Sequence, residues 1–339
     1  MNKTPGAAIL VGVGLVGAAI AGGFAARAIS PGQQASGDGA PQRRPMIQIV
    51  RQQPGLPSLA DTIAGLCPSI AAVTSEGGDG AVVPAFAVTA DGWLIASTAA
   101  LPTDKLEARF GEGAAVPLTE VRSDPVSGLS IVKAAATGLQ PIARSDELFP
   151  RVGELGFSIA DPTGSGCTAQ LAMIASDFLT DGGAPAAYVR LQPMGPDLPA
   201  GAPLLSGTGQ LLGVVAPGAL ANSVIPADVM SDIVDELVRG SLSPTVSFGF
   251  RAEDFDASMS ARLSNSRSSG TAVALVQPKS PAARAGLRAG DIVVGVNGSP
   301  VASASELGRA LDGAGKAVSM DVLRADDRLT LNVARAPAT

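Results

Sequence analysis

The sequence contains no histidine in 339 residues. That absence excludes a Ser-His-Asp triad and any histidine-containing metal centre. Cysteine occurs only twice, too few for a structural zinc site. Charge is scarce as well. Asp, Glu, Lys and Arg make up 16% of the chain, and the net charge is −6. No phosphate-binding surface follows from that balance, so nucleic acid is not an expected partner. Hydrophobic residues reach 46%, and a chain that apolar does not stay disordered throughout. Its length allows about two domains of roughly 150 residues each plus a tail. Glycine (41) and proline (26) together fill about a fifth of the chain. Such a content suits many tight turns between short strands.

Lys3 is followed by Pro5–Ala26, 22 residues without a charge. At ~1.5 Å per residue this run reaches ~33 Å, enough to span a bilayer. Two readings compete. A signal peptide would be cut after the small-x-small site Ala26-Arg27-Ala28. A retained anchor would leave residues 1–29 in the membrane. We adopt the anchor, with everything after it exported. The same run contains Gly12-Val13-Gly14-Leu15-Val16-Gly17, a G-x-G-x-x-G match. A dinucleotide site needs a preceding strand and a βαβ unit. Neither is present so close to the N-terminus, and no cofactor is expected.

Residues 30–57 are rich in Gly, Pro, Gln and Ser and read as a flexible linker. Ser58–Leu66 looks like a short helix opened by Ser58. From Pro68 to about Val224, short apolar strands alternate with turn signals. Ser69–Val73, Ala85–Thr89, Trp93–Ser97, Leu129–Lys133, Leu155–Ile159, Tyr188–Leu191 and Leu211–Ala216 are examples. Asp91-Gly92 is a hairpin turn between two of them. The pattern predicts an all-β barrel. Pro226–Arg239 then turns helical, with Val229, Ile233 and Leu237 on one face and Gly240 as its stop. After Pro244 the segment is mixed α/β. It holds a strand at Asp291–Val296 turned by Asn297-Gly298, a helix at Ala304–Leu311, and a hairpin of Val318–Leu323 and Leu329–Val333.

Several segments resemble the HtrA/Deg family of trypsin-like, PDZ-containing serine proteases. Asp91-Gly92-Trp93-Leu94-Ile95 is similar to the family's strand before its catalytic histidine. Ser123-Asp124-Pro125-Val126-Ser127-Gly128-Leu129 resembles the family's segment around its aspartate. Arg151-Val152-Gly153-Glu154 through Ala160-Asp161-Pro162 and Ala200-Gly201-Ala202-Pro203-Leu204 follow in the family's order. Ser280-Pro281-Ala282-Ala283-Arg284-Ala285-Gly286-Leu287 through Asp291-Ile292-Val293 is close to the family's PDZ signature. The resemblance implies a mainly β fold: a trypsin-like double β-barrel over 58–240, ending in a linking helix, then an α/β PDZ domain over 244–337. It also implies a periplasmic location for the folded part, soluble if the N-terminal segment is cleaved. Homo- or hetero-trimers with HtrA-like proteins are a further implication.

The departures from the family pattern bear on activity. By this alignment Ala99 stands at the histidine, Gly128 at the aspartate and Ala200 at the nucleophilic serine. Ala200 has no hydroxyl to attack a carbonyl, Ala99 no base and Gly128 no carboxylate. Leu198 and Pro199 replace residues of the oxyanion loop. The exported lysines are Lys105, Lys133, Lys279 and Lys316. Lys133 ends a strand and reads as a solvated edge charge rather than the base of a Ser-Lys dyad. Glu253-Asp254 reads as a loop and Asp326-Asp327 as a hairpin turn.

The PDZ segment is better preserved. PDZ domains take up an extended C-terminal peptide as an added strand and hold its carboxylate on backbone N–H groups. Ser247-Phe248-Gly249-Phe250 matches that loop, and Leu307 and Leu311 join Phe248 and Phe250 as the apolar pocket. The same phenylalanines also fit a plain core, and Thr245-Val246 stand where the family has Arg-Gly. Cys67 and Cys167 either pair across 100 residues of chain in an oxidising compartment, or fill small buried sites at strand edges. The expectation is a membrane-tethered periplasmic pseudoprotease that binds peptides, protein C-termini or unfolded envelope proteins without hydrolysis. Two other readings stand beside it: an active endopeptidase of protein quality control, and a structural partner of an active relative.

Overall fold

The computed structural model describes residues 58–78, 81–145, 150–160, 167–176, 189–218, 222–255, 270–324 and 327–337. The expected anchor at 1–29 and linker at 30–57 lie outside them. Among the described residues no helix is long and apolar enough to cross a membrane.

Two closed six-stranded barrels come first. Barrel one contains β1 (Ile70–Ser75), β2 (Val83–Ala87), β3 (Trp93–Ser97), β4 (Leu106–Arg109), β5 (Val116–Asp124) and β6 (Leu129–Ala134). They close in the order β1-β2-β3-β6-β5-β4. Barrel two contains β7 (Leu155–Ala160), β8 (Thr168–Ser176), β9 (Val189–Pro193), β10 (Pro203–Ser206), β11 (Leu211–Val215) and β12 (Ser223–Pro226). Its order is β10-β11-β12-β9-β8-β7.

Strand β3 shows why the central strands are apolar on both faces. Successive side chains point to opposite sides of a strand. Leu94 and Ala96 fill the interior of barrel one. Trp93 and Ile95 join a second core, with Phe157 and Val214 of barrel two and Ile233 of the linking helix. That helix, α2 (Ala227–Arg239), follows the short opening helix α1 (Leu59–Leu66). Ser58 and Asp61 form a capping box on α1. Val229, Ile233 and Leu237 of α2 are buried on one face, and Gly240 ends it at φ 70°. The disulfide question is resolved: Cys67 is bonded to Cys167, with 5.9 Å between the Cα atoms.

The last region is a six-stranded sheet. It is built of β13 (Phe250–Phe255), β14 (Gly270–Val276), β15 (Ile292–Val296), β16 (Ser299–Pro300), β17 (Ala317–Arg324) and β18 (Asp327–Ala334). The path is β13-β14-β15-β17-β18, with β16 paired to β15. Helices α3 (Pro281–Arg284) and α4 (Ala304–Asp312) complete it. Asn297 and Gly298, at φ 51° and 79°, make the predicted turn after β15. Glu253 and Asp254 differ from expectation: they lie in strand β13 rather than in a loop.

Strand β5 docks this region on barrel one. Arg122 Nη1 donates to the carbonyls of Leu237 and Val238 at 2.7 and 2.6 Å. Both lie in the last turn, where a helix runs short of internal donors, and the Leu237 carbonyl also accepts from the Gly240 N–H at 3.1 Å. Asp124 is fully buried. Its Oδ2 accepts from the Ser127 N–H at 2.9 Å and from Arg251 Nε at 2.9 Å. Arg251 Nη1 continues to Glu236 Oε2, also at 2.9 Å. A first-barrel carboxylate, a linker-helix carboxylate and a guanidinium of β13 thus form one buried ionic group.

Removing the cation leaves Asp124 charged in a dry site. Arg251→Met is expected to cost ~3–5 kcal/mol in urea unfolding, and adding Asp124→Asn should recover part of that loss. Reduction of the disulfide, or Cys67→Ser, should cost up to ~4–5 kcal/mol in the chain-entropy account. The same unfolding curves, run with and without reductant, measure it.

Candidate functional site

The residues aligned with the family's triad come together between the barrels. Ala99 is exposed in the turn after β3. Its neighbour Thr98 donates its N–H to the Gly128 carbonyl at 2.8 Å. Gly201, next to Ala200, has φ 85°, and a Cβ there would lie 2.5 Å from the Ser97 nitrogen. Positions 99, 128 and 200 therefore share one neighbourhood. At Gly128 the backbone has φ 71°, and a Cβ would meet Pro217 Cγ at 2.9 Å. Both the conformation and the space disfavour a side chain at that position.

The groups around it are hydroxyls. Thr98 Oγ1 lies 2.8 Å from Ser130 Oγ, which lies 2.7 Å from Ser123 Oγ. These hydroxyls satisfy one another, and none of those bonds involves a base able to take a proton. Leu198 is buried in the core of barrel two. The Gly201 N–H donates to the Val215 carbonyl at 2.9 Å and the Ala202 N–H to the Pro199 carbonyl at 3.2 Å. Lys133 is engaged elsewhere: Nζ donates to Asp91 Oδ2 at 2.6 Å and sits 5.1 Å from the Trp93 ring centre. The hydrogen bond from Lys133 holds the Asp91 carboxyl below its ordinary value.

The structure also gathers the expected peptide-loop residues. Phe248, Phe250, Leu307 and Leu311 are each 0% exposed and belong to one core cluster. Ser247 Oγ donates to the Pro244 carbonyl at 2.7 Å. Gly249 has φ 86°. A Cβ there would press on the Ser280 side chain, so only glycine fits. The Gly249 N–H donates to the Val246 carbonyl at 2.9 Å. Arg335 lies 5.0 Å from the Phe248 ring centre and donates to the Leu311 and Ala314 carbonyls.

Sequence reasoning missed what lies beside this loop. A cleft of about 860 Å³ opens between β13, α4 and the polar face of α2. Ala304, Ser305 and Gly308 of α4 line one side, and all are small. Seven carboxylates and three guanidinium groups face the cleft. Glu253 is half-buried there, and its carboxyl is pushed from 4.5 to about 8. Desolvation is the main cause, and the charges of Asp228, Asp232 and Asp254 add to it. Desolvation also raises Asp228 and Asp232. The only signal in the sequence was the spacing of Asp228, Asp232 and Asp235 along α2, set against Glu253-Asp254.

The sign of the pH effect follows. Unfolded Glu253 loses its proton near 4.5 and folded Glu253 near 8. Between those values the folded state binds the extra proton, so stability falls as pH rises. Unfolding titrations from about pH 5 to 8 should show that decline. Glu253→Gln should remove most of it, leaving the smaller contributions of Asp228 and Asp232.

Comparison with known proteins agrees with this architecture. Residues 273–324 match the model of the PDZ domain. HhoA of Synechocystis sp., named as a serine protease, is 29% identical over 234 residues, covering 62% of this chain and 59% of its own. A DegP-like periplasmic serine endoprotease of Chlamydia pneumoniae is 24% identical over 270 residues, covering 74% of this chain and 51% of its own. The chain thus spans between half and three-fifths of the length of these relatives. Among solved structures, the HtrA-type protease AlgW with decapeptide superposes with a TM-score of 0.51 at 18% identity. It covers 84% of this chain and 100% of its own. With two closed barrels, a linking helix and a PDZ domain in that order, the chain is similar in sequence and fold to HtrA/DegP-like, PDZ-containing serine proteases.

Proposed function

We propose that this chain is a pseudoprotease that binds peptide through its PDZ domain and does not cut it. The observation that carries this reading is the joint occupancy of the aligned triad by Ala99, Gly128 and Ala200 in a chain without histidine. A nucleophile, its base and the group that orients the base are all replaced. Loss of one such member costs several orders of magnitude in rate, and loss of all leaves mainly binding. Gly128 supports the same conclusion, because its backbone leaves no room for a carboxylate side chain.

The binding half of the reading rests on the PDZ domain. Strand β13 ends its sheet and pairs with β14 alone among the described strands. Its open edge faces α4 across the cleft, the arrangement that strand addition requires. Of the backbone N–H groups of the Ser247–Phe250 loop, that of Gly249 is already bonded to the Val246 carbonyl. In this reading the β13 edge, rather than the loop, supplies most of the peptide's hydrogen bonds. We place the folded part in the periplasm, where several relatives are described, tethered by Pro5–Ala26.

Casein incubated with the purified chain should show no fragments on a gel after overnight incubation. Fragments that persist through repurification to constant specific activity would contradict the proposal.

A further inference from the structure

The cleft beside β13 differs from a plain apolar peptide groove in the charge of its walls. Its inner wall is β13, where Arg251, Ala252, Glu253 and Asp254 line the space. Its outer wall is the polar face of the linking helix, with Asp228, Asp232 and Asp235. An extended strand between β13 and α4 would therefore pass along carboxylates on both sides. Successive side chains of that strand alternate between faces, so every second residue would meet the α2 wall.

The positive groups offset these walls only in part: Arg144 acts on Asp228 and Asp232 from outside the cleft lining, and desolvation still raises both carboxyls. Arg251 is consumed by Asp124 and Glu236. Arg239 and Arg309 remain against the other carboxylates of the cleft. Asp228, Asp232 and Glu253 all hold their protons more tightly than usual, mainly through desolvation, with neighbouring carboxylates adding to it at Asp232 and Glu253. Two polar atoms at the walls lack partners among the described residues: Asp228 Oδ1, and Nη2 of Arg251, a side chain only 5% exposed. Both atoms are themselves buried, so a bound peptide reaches them only if a side chain shifts.

We propose that the peptide added to β13 is a basic one, with lysine or arginine at alternate positions facing Asp232 and Glu253. This deepens the peptide-binding reading and rests on it. An ammonium group placed beside Asp232 and Glu253 favours their ionised forms, which the empty cleft disfavours. A glutamate at the same position adds a further like charge. Electrostatic complementarity selects among partners more than it sets raw affinity, so the selectivity should exceed the gain in binding.

The test uses the full chain in detergent and two fluorescein-labelled peptides, Ala-Lys-Val-Lys-Val-Lys-Ala and its counterpart with glutamate for lysine. Fluorescence anisotropy at low salt should show the lysine peptide binding roughly tenfold or more tightly, as expected for two or three partly exposed ion pairs. That preference should shrink as salt is raised. The double variant Asp232→Asn, Glu253→Gln should bring the two peptides within about threefold of each other. Ser305→Trp, which fills the groove from α4, should weaken both. Equal binding of the two peptides, lost on Ser305→Trp, would overturn the charge preference while leaving strand addition intact. Lysine-peptide binding that survives Ser305→Trp or the double variant would put the basic site elsewhere and overturn the proposal. Absence of binding by either peptide would overturn both this proposal and the peptide-binding reading beneath it.

Discussion

The buried carboxylate of Asp124 is the constraint on which most of the arrangement depends. It sits at the end of β5 with no exposed surface, and a charge in that position is tolerated only with partners. Its partners lie in two directions. The Ser127 N–H orders the loop that carries Gly128, and Arg251 Nε draws in the first residues of the PDZ sheet. Glu236 ties the linking helix to the same guanidinium. A buried ion pair of this kind contributes little net stability, because desolvation offsets the attraction. It does define one geometry, since any other leaves an unpaired charge. Arg122, two residues earlier on β5, closes the end of the same helix.

That geometry has a consequence for the cleft. With α2 fixed beside β13, the polar face of the helix becomes one wall of the PDZ groove. The apolar face of α2 packs into the core shared by both barrels, so its acidic face turns outward, to the groove and to solvent. The same amphipathic pattern that attaches the PDZ domain therefore supplies the groove's charge. The positions aligned with the triad lie by the Gly128 loop, which Asp124 orders through the Ser127 N–H.

The sequence made some of this legible and hid the rest for physical reasons. Strand β3 was readable because both of its faces are buried and it begins right after a hairpin signal, Asp91-Gly92. Helix α2 was readable because Val229, Ile233 and Leu237 recur at helical spacing. Strands β5 and β8 are largely exposed, so their side chains carry little apolar pattern. The positions aligned with the triad were found by resemblance, and the structure brings them together. The cleft was not found, because it is a relation between elements distant in the chain. Asp228 and Glu253 look like ordinary surface residues until α2 is docked on β13. Glu253-Asp254 read as a loop for the same reason: an edge strand with charged residues has no one-sided hydrophobic signature. The cysteine pair stayed open in the sequence because spacing alone does not bring two thiols together.

The central claim is that this chain retains peptide and leaves it whole. Native mass spectrometry of the full chain, incubated overnight with a lysine-containing peptide, measures both halves at once. The account predicts a complex whose mass equals chain plus intact peptide, with no peptide fragments in the free fraction. A complex that yields cleaved peptide, at a rate proportional to the amount of chain, would contradict it.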